Sequence, residues 1–179
     1  MSCAFLTIGH SNRSLHEFAG LLRGADVQHV VDVRAFPASR ANPQFNKEVL
    51  PDGLALFDLY YEHVAALGGR RGRSSNVASD VNGFWTNQSF HNYADYALSE
   101  DFRLGLEHLM VEGRKRRCAI MCSEAVWWRC HRRIITDYLI ARGEVVFHIM
   151  GPGHVDAAQA SVGAWIHADG TVTYPGAGP

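Results

Sequence analysis

Cys118-Ala-Ile-Met-Cys-Ser-Glu-Ala-Val-Trp-Trp-Arg-Cys-His-Arg-Arg133 is the stretch whose pattern decides the fold. Cys118 to Cys122 is a short apolar run behind the basic cluster Arg114-Lys-Arg-Arg117, the signature of a buried strand with a solvated lead-in. After Ser123 the spacing becomes helical. Val126, Trp127, Ile134, Ile135, Tyr138 and Leu139 fall on one face and Gly143 stops the run. Read this way, a strand turns straight into a helix, and Cys122 sits at the junction. Free backbone N–H groups and the macrodipole at a helix N-terminus favour anions and a thiolate. Cys122 is therefore the first candidate for a reactive group.

Outward from this stretch the chain repeats the same grammar. Ala4 to Ile8 reads as a strand. Ser14 and Glu17 form a capping box for a helix over Leu15 to Arg23, and His29 to Val33 is a second strand. Strand, helix and strand make a βαβ unit with parallel strands. Residues 35–55 are punctuated by Pro37, Pro43, Pro51 and Gly53 and read as irregular. Leu59 to Val64 is a third strand. Residues 65–88 form a long Gly/Arg-rich loop, and Ser89 to Leu98 and Asp101 to Glu112 are helices. Glu144 to Met150 is the last main strand, and Asp169-Gly170 between alternating runs marks a small C-terminal hairpin. The expectation is one α/β domain over residues 1–179, a three-layer, Rossmann-like sandwich with a mainly parallel sheet.

The totals agree. A chain of 179 residues, 47% hydrophobic and 20% charged, is long enough to bury a core without disulfides or metals. A net charge of −1 gives no global pull toward nucleic acid or membrane. Cys3, Cys118, Cys122 and Cys130 are too few for a disulfide scaffold. No signal-peptide pattern and no apolar run of about 20 residues is seen. A reduced, cytoplasmic, soluble protein without cofactor or membrane partner is expected.

The residues with chemistry gather at strand ends. Gly9-His10-Ser11-Asn12-Arg13 ends the first strand, Asp32-Val-Arg34 the second, Cys122-Ser-Glu124 the organising strand and Gly151-Pro-Gly-His154 the last. In open α/β sheets the ligand crevice lies beyond the carboxyl ends of the strands. All four ends are expected to share one cleft. Cys122 is the candidate nucleophile, with His10, Glu124 and His131 as acid–base partners. Ser11, Arg13, Asp32, Arg34, Arg129 and Trp128 are the candidate ligand-binding set, the arginines holding an anion. Asp32 and Arg34, two apart on one strand face, equally suit a structural ion pair. The Cys122-to-Arg129 spacing is one residue longer than in the tyrosine-phosphatase loop and lacks its Gly, which argues against that mechanism.

Distances along the elements bear on metals and disulfides. Cys118 and Cys122 stand about 13 Å apart along a strand at ~3.3 Å per residue. Cys122 and Cys130 stand about 12 Å apart along a helix at ~1.5 Å per residue. A Cys/His metal site and a disulfide are both disfavoured unless the helix starts later. Arg70-Arg-Gly-Arg73, with Phe84, Trp85, Phe90 and Tyr93, offers cations and rings for a single-stranded nucleic acid or a flipped base, or a lid over a phosphorylated small molecule.

Thr7-Ile-Gly-His-Ser-Asn-Arg13, Val30-Val-Asp-Val-Arg34 and Met121-Cys-Ser-Glu-Ala-Val-Trp-Trp-Arg-Cys-His-Arg132 together resemble domain-of-unknown-function family 488; Pro37 to Pro43 and Tyr93-Ala-Asp-Tyr96 fit the same pattern. The resemblance spans residues 5–150. It implies an α/β domain with paired Cys near a His-Arg, and it adds Cys130 to a working site with His10, Arg13, Asp32, Arg34, Cys122, Glu124 and His131. It implies no reaction. The leading expectation is an enzyme-like domain that binds an anionic ligand, a phosphate-bearing small molecule or nucleic acid, with Cys122 as reactive thiol. The alternatives are a non-catalytic nucleic-acid-binding module using the Arg70–Arg73 loop, and a thiol redox or metal-sensing protein using Cys122 and Cys130.

Overall fold

The computed structural model describes residues 4–177; Cys3 lies outside them. Six strands form one sheet: β1 (Phe5–Gly9), β2 (His29–Asp32), β3 (Tyr60–His63), β4 (Cys118–Cys122), β5 (Val146–Gly151) and β6 (His154–Ala157). Their order is β3-β2-β4-β1-β5-β6. All neighbours are parallel except β5 and β6. β1 lies in the middle, with Ile8 opposite Met121 and Gly9 opposite Cys122 on β4. A two-stranded hairpin, β7 (Trp165–Ile166) with β8 (Val172–Thr173), stands apart from the sheet.

Period-two alternation splits the strands between two cores. Leu6, Ile8, Val30, Ala119 and Met121 face α1 (Leu15–Gly24) and α2 (Leu50–Ala55). Phe5, Val31, Cys118, Ile120 and Cys122 face α3 (Gln88–Tyr96), α4 (Glu100–Lys115) and α5 (Arg132–Ala141). The result is a three-layer α/β sandwich. Strands buried on both faces must be apolar throughout, which is why β1 and β4 read as continuous hydrophobic runs. Helix starts are set by side-chain caps. Ser14 and Glu17 close a reciprocal box at α1, while Asn87 and Ser99 cap α3 and α4. The hairpin docks on α5, where the Tyr138 hydroxyl donates to Val172 O at 3.1 Å and Tyr174 donates to Asp137 at 2.7 Å.

Three local expectations are corrected. The helix does not follow β4 directly: residues 123–131 intervene, holding only a single 3₁₀ turn at Trp127–Arg129, and α5 begins at Arg132. Val126 and Cys130 flank that turn with extended backbone, so Val126 and Trp127 match the helical period by coincidence. Secondly, α2 occupies part of the stretch read as irregular. Pro51 lies within its first two positions, where a missing N–H costs nothing. Thirdly, after Gly151 the chain doubles back through Gly153 (φ +66°) into the fully exposed edge strand β6.

The α4–sheet contact is close enough to be tested. A Cβ at Gly113 would lie 2.2 Å from Cζ of Phe5, itself 1% exposed. Gly113→Ala is expected to destabilise by about 1–3 kcal/mol through overpacking. Urea unfolding should show a lower midpoint with unchanged slope.

Candidate functional site

The late start of α5 brings the two cysteines together. Residues 123–129 loop out and return, and Cys130 Sγ comes to rest 2.7 Å from Cys122 Sγ. Cys122 is 3% and Cys130 6% exposed. Cys130 also receives the backbone N–H of Arg132 at 3.4 Å and faces His131 Nδ1 at 3.4 Å. The other nitrogen of His131, Nε2, lies 2.8 Å from Val33 O, so it carries a proton and leaves Nδ1 to face the sulfur.

The side chain of Arg132 lies buried beside this pair. It is 1% exposed, and it donates to Glu124 O at 2.6 Å and Thr7 Oγ1 at 3.4 Å while also reaching the two cysteine sulfurs. A buried guanidinium needs a counter-anion, and the groups that favour its charge are the two sulfurs. The sulfurs differ in consequence. Burial and the hydrogen bond to Cys130 push the Cys122 thiol well above its ordinary range. Burial also opposes charge on Cys130, but the donated Cys122 S–H, His131 and Arg132 outweigh it and hold that thiol well below its ordinary range. Of the two, it is Cys130, beside the N-terminus of α5, whose surroundings favour the thiolate. Gly9 is required beneath, because a Cβ there would meet Glu124 O at 1.8 Å.

The pair opens into a cleft of about 1400 Å³ beyond the strand ends. His10, Ser11, Asn12, Arg34, Ser123, Glu124, Arg129 and His131 line it, and so do Phe36, Arg70 and Arg71. The ends of β1, β2 and β4 converge as expected. The end of β5 does not: Gly151 and Arg13 line a separate groove of about 520 Å³ beside α1.

On the α1/α2 face, Arg34 donates Nε to Asp32 Oδ1 at 2.9 Å and Nη2 to Oδ2 at 2.7 Å. Tyr61 donates to Oδ2 at 2.7 Å, and Arg34 Nη2 also reaches Phe45 O at 2.7 Å. Asp32 is fully buried, so this is a structural ion pair that fixes the cleft wall. His10 stacks on Phe45 with ring centroids 4.2 Å apart and lies between Ser11 O (2.7 Å) and Arg34 Nη1 (3.3 Å). Burial lowers its pKa to about 4, so it is neutral, with Nδ1–H donating to Ser11 and Nε2 accepting from Arg34.

The structure thus gathers Cys122, His10, Glu124, His131, Ser11, Arg34 and Arg129 at one cleft. It removes three residues of the expected set. Arg13 turns to the carbonyls of Gly9 and Met150, Asp32 lies beneath Arg34, and Trp128, though 44% exposed, packs edge-on against Trp127 away from the cleft. Arg132 was missed, because spacing alone makes it one of three arginines on a helical face. Of the four rings near the Arg70–Arg73 loop, Trp85 and Tyr93 are core residues, whereas Phe84 is exposed and Phe90 lines the cleft. Tyr93 and Tyr96 donate to Leu67 O and Ala66 O, both at 2.7 Å, and Arg71 stacks on Tyr96 at 3.7 Å, pinning the loop at the cleft.

Away from the cleft, donor atoms of His29, Glu62 and Glu112 lie within 4.8 Å of one another, a grouping able to hold a metal ion. Different ring nitrogens of His29 face the two carboxylates, at 3.6 and 3.9 Å, so no single nitrogen faces both. No helix among the described residues is long and apolar enough to cross a membrane.

A mainly parallel α/β sheet with a buried cysteine pair at a strand-end cleft is the class that fold and site define. The family described as Domain of unknown function DUF488 matches residues 14–139, and the chain belongs to it. Comparison with curated proteins and with solved structures finds no match.

Two predictions follow from the buried groups. Asp32→Ala leaves the Arg34 guanidinium unpaired and is expected to cost about 3–5 kcal/mol, read as a lower denaturation midpoint. His10 and His148, both lowered by burial from 6.5 to about 4, take up protons on unfolding before they do so when folded. Stability should therefore fall as pH drops from 6.5 toward 4. His148→Gln should flatten that dependence in melts taken across the window.

Proposed function

We propose that the strand-end cleft binds an anionic, phosphate-bearing ligand, a nucleotide or a nucleic-acid segment, and presents it to the Cys122–Cys130 thiol pair for covalent chemistry. The observation that carries this reading is the placement of Arg70 and Arg129 on the wall of the cleft into which the thiols open. Both arginines are exposed, and neither has a carboxylate partner among the described residues. Guanidinium groups without a carboxylate partner suit bidentate phosphate recognition. Arg70 also lies over the ring of Phe36, which is 68% exposed and suits stacking on a base.

In this reading Cys130 is the nucleophile and Cys122 the proton donor that holds it as a thiolate. The backbone N–H of Arg132 and its buried charge maintain that state. His131 accepts or returns the thiol proton at Nδ1, and the exposed carboxylate of Glu124 supplies acid–base chemistry to a bound ligand. His10 is a positioning residue that acts through Arg34. A non-catalytic nucleic-acid module would have to rely on Phe84 and Phe90, because Trp85 and Tyr93 are buried.

Competing alkylating agents test the proposal directly. Iodoacetate, an anion, should label Cys130 faster than neutral iodoacetamide does, and pyrophosphate should protect against both. Arg70→Ala with Arg129→Ala should abolish the preference and the protection. Equal protection of wild type and double variant, or none in either, would refute an anion site on these arginines.

A further inference from the structure

We propose that Cys122 and Cys130 form a dithiol–disulfide couple, oxidised by exchange with low-molecular-weight disulfides that enter the cleft. Their sulfurs lie 2.7 Å apart, so bonding at about 2.05 Å needs a closing movement of only ~0.7 Å. The segment between them, residues 123–129, has three half-buried and four exposed residues and no regular element but one 3₁₀ turn, so its far part, residues 127–129, can adjust while Ser123 and Glu124 stay anchored to β1. Both cysteines line the cleft, which gives a small disulfide its route.

The exchange balances in two steps. Cys130 as thiolate attacks one sulfur of R–S–S–R, forming Cys130–S–S–R and expelling R–S⁻. Cys122 then loses its proton, which ends on the expelled thiolate as R–SH. Its sulfur attacks the Cys130 sulfur, forming the Cys122–Cys130 disulfide and expelling the second R–S⁻. The two protein sulfurs are oxidised and the small disulfide is reduced to two thiol equivalents. Two features bear on direction. Oxidation deprives the buried Arg132 guanidinium of its counter-anion, which favours the reduced form and makes the couple readily reducible. Cys118, at the other end of β4, has its sulfur 3.4 Å from Arg116 O and 3.7 Å from His29 Nδ1, well away from the pair.

This inference shares the Cys130 thiolate with the function proposed above but needs no anionic ligand, so the two can fail separately. The experiment is incubation of the purified protein with oxidised glutathione, followed by acid quench, alkylation and peptide mapping. Wild type should lose two hydrogen atoms, yield linked Cys122 and Cys130 peptides without a lasting glutathione adduct, and reopen with excess reduced glutathione. Cys122→Ser should stop at a stable glutathione adduct on Cys130. Bis(2-hydroxyethyl) disulfide, an uncharged oxidant, should close the same Cys122–Cys130 link in wild type, so closure does not depend on the anion site. A persistent adduct on Cys130 in wild type, two thiols still free after prolonged exposure, or linkage to Cys3 or Cys118 instead would overturn the inference. The wild-type measurement stands alone if the serine variant fails to fold.

Discussion

The buried charge of Arg132 is the constraint on which the site depends. A guanidinium that is 1% exposed must find negative charge or strong acceptors close by. It takes the carbonyl of Glu124, the hydroxyl of Thr7 and the sulfurs of the cysteine pair. Bringing Glu124 O to it requires residues 123–126 to press against β1, which only a glycine at position 9 allows. Bringing Cys130 to it requires α5 to begin two residues later, so that the first free N–H of the helix also points at the sulfur. One buried charge thus couples the glycine after the first strand, the loop after the fourth and the start of the last helix.

The opposite wall of the cleft is built on a different principle. Asp32 and Arg34 neutralise each other, and Tyr61, Phe45 and His10 satisfy what remains. That wall is electrically finished and rigid, whereas the thiol side keeps a charge that chemistry can use. The cleft therefore joins a structural half on the α1/α2 face of the sheet to a reactive half on the α3–α5 face. Tyr93 and Tyr96 hold Ala66 and Leu67 just before the mouth, and Gly69 packs so close to His131 that a Cβ would lie 2.5 Å from its Nδ1.

Much of this was legible from the sequence where local rules dominate. The apolar runs at β1 and β4, the Ser14–Glu17 box and the Asp169-Gly170 turn each announce their element, because each is decided by burial or by a short-range hydrogen bond. The convergence of His10, Arg34 and Cys122 followed from sheet topology. The identity of the thiolate did not, because it turns on where α5 starts. Val126 and Trp127 continue the helical period, whereas residues 123–131 are held by contacts invisible in spacing, among them Arg132 to Glu124 O and the Ser11 N–H to Ser123 O. Arg13 and Trp128 fit a ligand set by type, but the carbonyls of Gly9 and Met150 and the ring of Trp127 hold them elsewhere. Such competition among long-range partners leaves no periodic trace.

The most direct test of the account is a pH titration of thiolate ultraviolet absorbance in wild type, Cys122→Ser and Cys130→Ser. The account predicts that wild type forms one thiolate well below the ordinary thiol pKa of about 8.5. That step should vanish in Cys130→Ser and survive, at higher pH, in Cys122→Ser where the S–H donor is weakened. A low-pH step lost with Cys122 and kept without Cys130, or no thiolate below the ordinary range, would contradict it.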